Sequence, residues 1–116
     1  MEAARTSAER GHDVILLEKS DQLGGLICEA SSAPFKADLK KYLDWSVRMT
    51  GHYDNIDIRL STEATPELIE EVNPDALIIA VGAVPNIPRL SCTDKSKVLW
   101  VGVIQEKKVL MLAAKS

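Results

Sequence analysis

Apolar and polar positions follow two alternating rhythms along this chain, one helical and one extended. Between Met1 and Arg10, the residues Met1, Ala4 and Ala8 fall on one helical stripe, widened by Ala3 and Ser7, while Glu2, Arg5, Glu9 and Arg10 point away. Gly11 follows as a natural helix terminator. Val14-Ile-Leu-Leu17 is a continuous apolar run, the pattern of a strand buried on both faces of a parallel sheet. The stretch from Ser20 to Pro34 reads as irregular, with Gly24-Gly25 followed by small residues at 30–33. A second helix is predicted from Phe35 to near Gly51, with Leu39, Tyr42, Leu43, Ser46 and Val47 as its inner face.

Ile56-Asp-Ile-Arg-Leu60 alternates as a half-buried strand does. Thr65-Pro66-Glu67 opens a helix, with Thr65 as N-cap and Pro66 in its first turn. Leu68, Ile69 and Val72 face inward, and Asn73-Pro74 stops it. Ala76-Leu-Ile-Ile-Ala-Val81 is a second fully apolar strand, ending in Gly82-Ala83, and a proline-punctuated loop runs from Val84 to about Ser96. Val98 to Ile104 fits a strand or a helix, and Lys108 to Ala114 reads as a buried strand. Helices alternating with apolar strands predict an α/β domain, Rossmann-like and three-layered, with a mostly parallel sheet.

Composition narrows the function classes. The 116 residues suit one domain, and 46% apolar with 27% charged residues is an ordinary globular balance. A net charge of −3 supplies no basic field for nucleic acid and no polybasic membrane patch. No apolar run approaches the roughly 20 residues of a membrane span, and no signal peptide is evident, so the cytoplasm is expected. Cys28 and Cys92 lack metal-site spacing, and neither His12 nor His52 is placed to join them, so both read as free thiols.

The order of motifs carries more. A small-faced helix, the Gly11-His-Asp13 turn, an apolar strand and a terminal acid, Glu18, are the second half of a dinucleotide-binding βαβ unit. The first strand and its G-x-G-x-x-G turn are missing. In that fold the acid accepts hydrogen bonds from the adenosine ribose, although a solvated carboxylate at a strand end is common. Gly24-Gly25 admits a close ligand approach or simply a turn. Ala80-Val-Gly-Ala83 closes a strand at its carboxyl end, where open α/β sheets bind ligands, and a plain strand-to-loop turn explains Gly82 as well. Tyr42, Trp45 and Trp100 read better as packing than as stacking platforms. No Ser/His/Asp order, metal spacing or carboxylate pair marks a catalytic centre.

Met1–Lys19, Leu23-Gly-Gly25, the segment Ala33–Leu43 and Asn73–Ala83 together resemble a specific family. They are similar to the FAD-binding region of the NADH:flavin oxidoreductases related to 2,4-dienoyl-CoA reductase and trimethylamine dehydrogenase. The resemblance covers about residues 1–90. It implies a parent with an FMN and iron–sulfur barrel, followed by FAD- and NAD(P)H-binding domains, that reduces an enone or unsaturated acyl substrate. Some members bind ADP instead of FAD.

By this resemblance Glu18, with Lys19 beside it, meets the adenosine ribose, Gly24 and Gly25 lie near the cofactor, and Ala80, Val81, Gly82 and Ala83 line the flavin-side strand end. The whole chain is then a partial FAD/NAD(P)-binding domain, and about 91–116 match weakly, with Lys107–Leu112 like the first strand of a nicotinamide domain. Leu26 stands where the family often has Gln, and Cys28 and Cys92 inherit no role. Without the phosphate loop, FAD binding is expected to be weak and the isolated chain inactive, its partners being the remaining domains of the parent. Lys108–Ala114 is expected to fill the slot of the missing central strand. The alternative is a non-catalytic Rossmann-like module that binds an adenine nucleotide or a protein, and a strand with G-x-G-x-x-G encoded upstream of Met1 would decide against it.

Overall fold

The computed structural model describes residues 1–84 and Asn86. The expectations for Cys92, Trp100, Val98–Ile104 and Lys108–Ala114, including the proposed slot-filling strand, lie outside the described residues.

The chain begins with α1 (Glu2–Glu9), capped by Met1, whose carbonyl accepts from Arg5 N at 3.0 Å. Gly11 takes a φ of 86° and donates to the Ala8 carbonyl, ending the helix as the sequence predicts. Strand β1 (Val14–Leu17) pairs in parallel with β2 (Ile56–Arg59), in the register Val14 to Ile56 and Leu17 to Arg59. Two parallel neighbours need a long crossover. Here it consists of α2 (Leu26–Ala30), a 3-10 turn at Pro34–Lys36 and α3 (Ala37–Thr50).

Ala4, Ala8 and Ile56 form the buried centre, with Val14, Leu16, Tyr53 and Ile58 packed around it. Alanines at the contact let α1 sit close to the sheet. The helix α4 (Pro66–Val72) starts as predicted, its Thr65 Oγ1 accepting from Leu68 N at 3.3 Å. It ends at Asn73, which takes the left-handed conformation with φ 47°.

Four expectations are corrected. Arg5 does not point away from the core but is 5% exposed, because its guanidinium finds polar partners on α3. The stretch 20–34 is not wholly irregular: the turn at Gly24-Gly25 frees the chain for the short helix α2, whose Ile27 and Cys28 N–H groups donate to the Gly24 and Gly25 carbonyls. Tyr42 leaves the inner face and stacks beside Trp45, ring centroids 5.9 Å apart, with both half-exposed. The largest departure is Ala76–Val81. No strand is assigned there, no backbone hydrogen bond engages it among the described residues, and Ile79 and Val81 are 75% and 85% exposed. A fully apolar strand is stable only with neighbours, and among the described residues none lies beside it.

Candidate functional site

Glu18 stands at the carboxyl end of β1, the end at which parallel sheets present ligand groups. Its backbone is held on both sides: Glu18 N donates to the Arg59 carbonyl at 3.0 Å and Thr62 N donates to the Glu18 carbonyl at 2.8 Å. The next residues are tied to the same neighbouring loop, since Ser61 N donates to the Ser20 carbonyl at 2.7 Å. Lys19 forms an exposed ion pair with Glu63 at 2.8 Å. The hydrogen bond to Glu63, aided by its charge, raises the Lys19 pKa above the ordinary lysine value.

The Glu18 side chain is equally defined. Its Oε1 accepts from both the backbone N–H and the hydroxyl of Ser20, each at 2.9 Å. Among the described residues nothing donates to Oε2. A half-buried carboxylate with one oxygen held and the other open is a hydrogen-bond acceptor ready for a neutral polar ligand.

The glycine pair divides its work. A Cβ on Gly24 would lie 2.6 Å from Cys28 Sγ and 2.7 Å from Leu43 Cδ1, and its φ is 128°. Gly24 therefore brings the turn hard against α2 and α3. Gly25 takes φ 52° at the start of α2 with nothing within 4 Å of its missing side chain. Beside this turn an open cleft of about 770 Å³ runs between α3 and β2, with Asp21, Cys28, Lys40, Arg48 and Ile58 in its walls. Two of its lining charges, Lys40 and Asp44, pair with each other at 3.3 Å. No trio of His, Cys, Asp or Glu among the described residues can hold a metal ion.

Ala80, Val81, Gly82 and Ala83 are all exposed and have no strand partner among the described residues, so they do not join β1 and β2, the strands beside Glu18. Gly82 has φ 73° and open space where a side chain would stand.

Two residues were not singled out from the sequence. Ser20 is one, and the serine two positions after a strand-end acid was its only signal, since serine hydroxyls bond locally in turns. Arg5 is the other. Its Nη1 donates to the Ser46 carbonyl at 3.0 Å, to Ser46 Oγ at 2.7 Å and to Thr50 Oγ1 at 3.2 Å, while Nη2 pairs with Glu2. The guanidinium carbon also lies 5.0 Å from the Trp45 ring centre. Its charge sets Arg5 on the outward face with the other charged residues, yet positions 1, 5 and 8 also share a helical stripe, and it is on this side that Arg5 meets α3.

No protein-family profile matches the chain. It is 39% identical over 95 residues to an NADH oxidase of Thermoanaerobacter brockii, covering 82% of this chain and 14% of that protein. It is 39% identical over 85 residues to an N,N-dimethylglycine/sarcosine dehydrogenase of Chromohalobacter salexigens, covering 73% and 12%. A cinnamate reductase of Clostridium sporogenes matches at 35% over 95 residues, covering 82% and 14%. Among solved structures, a 2-naphthoyl-CoA reductase in complex with 2-naphthoyl-CoA superposes with a TM-score of 0.83 at 36% identity, over 94% of this chain and 16% of that one. The chain thus spans 12–16% of the length of these proteins.

Proposed function

Because the chain belongs to the NADH:flavin oxidoreductase family, we propose that it serves as the FAD-binding region of a larger NAD(P)H-dependent reductase acting on enoate or acyl-CoA substrates. The observation that carries this reading is Glu18, held at the carboxyl end of β1 with Oε2 open to a donor. The residues fit the adenosine half of the cofactor. Glu18 accepts from the ribose hydroxyls, and Lys19, paired with Glu63, stands beside it without competing for the Glu18 carboxylate.

The described residues start at the N-cap of α1, so the pyrophosphate's contacts are not assigned among them. Gly24 and Gly25 stay assigned to the cofactor's neighbourhood, and Ala80–Ala83 to its flavin side, by family resemblance alone. When bound, the flavin supplies the two-electron chemistry; this chain's own part is to bind and orient the adenosine end. The same Glu18 geometry suits a second reading, a non-catalytic module for an adenine nucleotide.

Titration of the purified chain with FAD and with ADP, followed by flavin fluorescence and calorimetry, tests the assignment. Similar weak affinities for both are expected, since the two share the adenosine contacts. FAD binding tighter than ADP by more than about 100-fold, roughly 3 kcal/mol, would place a working flavin cradle in this chain. Absence of binding by either at millimolar concentration would overturn the reading.

A further inference from the structure

One residue sends two donors to Glu18. The Ser20 backbone N–H and hydroxyl both lie 2.9 Å from Oε1, and Ser20 is itself anchored through its carbonyl to Ser61 N. We propose that Ser20 is a positioning residue: it fixes the Glu18 carboxylate in one orientation so that Oε2 recognises the hydroxyls of an adenosine ribose. The proposal rests on the reading of Glu18 as the ribose acceptor.

A glutamate has three side-chain torsions, and an unrestrained one must be immobilised when ligand binds. Two bonds to one oxygen remove that requirement in advance. The hydroxyl of Ser20 also lies 2.7 Å from the Gln22 carbonyl, and it has a single proton to give. The two acceptors compete for it, and a carboxylate oxygen is a stronger acceptor than a backbone carbonyl. Lys19, the next residue, is paired with Glu63, and among the described residues Ser20 alone bonds the Glu18 side chain and sets its rotamer.

The test is the ratio of dissociation constants for ADP and 2′,3′-dideoxy-ADP, measured by ¹H–¹⁵N spectra of the whole chain. This ratio reads hydroxyl recognition and is blind to a general loss of affinity. The wild-type chain is expected to prefer ADP about tenfold. Glu18→Gln should bring the ratio to about one, Ser20→Ala to about three, and Ser20→Thr should restore it. Ser20 is exposed, so the thermal midpoint of Ser20→Ala should match that of the wild type.

A wild-type ratio in Ser20→Ala, with the ratio abolished in Glu18→Gln, would overturn the role of Ser20 and leave that of Glu18 standing. An equal loss of affinity for both nucleotides in Ser20→Ala would also overturn it. A wild-type ratio of one, or no ADP binding, would overturn the ribose reading of Glu18 and this proposal with it.

Discussion

Val14–Leu17 and Ala76–Val81 are both continuous apolar runs, and the chain treats them oppositely. The first is a strand with a parallel partner, a covering helix and the candidate acid Glu18 at its end. The second has no strand partner among the described residues and is exposed, with Leu77, Ile78 and Ile79 at 53%, 63% and 75%. Apolarity records a demand for burial; whether it is met depends on a neighbour. β1 finds one because α3 returns the chain to β2 in register. Its burial is partial all the same, and Ile15 stays 40% exposed, short of the two-sided burial its apolar run predicts. The same difference divides the candidate site, since Glu18 sits on a built element and Ala80–Ala83 do not.

Substitutions sharpen this contrast. Arg5→Ala should be the most damaging, because it strips the donors from Ser46 and Thr50, which are 2% and 0% exposed, and leaves polar atoms buried between α1 and α3. A loss of about 3 kcal/mol in urea unfolding is expected. Gly24→Ala follows, at about 2 kcal/mol, because its Cβ meets Cys28 and Leu43 at a positive φ. Retained stability in Gly24→Ala would show that α2 moves aside.

Tyr53 reports the α1–β2 contact more gently. Its hydroxyl donates to Glu9, and this bond, with partial burial, raises the phenol pKa above 10.0. The fold favours the neutral phenol, so its contribution is whole below the ordinary tyrosine value and disappears as pH rises through the raised one. Absorbance titration should show Tyr53 ionising late, and Glu9→Gln should move it back toward the ordinary value. Smallest of all, Ile79→Ser should change unfolding stability by less than about 0.5 kcal/mol. A loss typical of a core residue would mean that Ile79 is buried after all.

Much of this was legible in advance. The helix at 66–72 was marked by Thr65, Pro66 and Asn73, whose local chemistry acts wherever the chain goes. β1 was marked by its continuous apolar run, β2 by alternation, and Glu18 by its place after that run. The rest depended on tertiary partners. Arg5 is buried only because α3 offers Ser46 and Thr50 across 41 and 45 residues. Gly24 is required by Cys28 and Leu43, which no glycine pair announces. The exposed state of 76–81 could not be read from residues that, by themselves, are ideal for a sheet interior.

Hydrogen exchange of the free chain tests the contrast most directly. The Glu18 amide, bonded to the Arg59 carbonyl, should be protected, while the amides of 76–83 should exchange at unstructured rates. Protection across 76–83 matching that of β1 would contradict the account, because it would mean that this run has found a strand partner and that the flavin-side end is built as well.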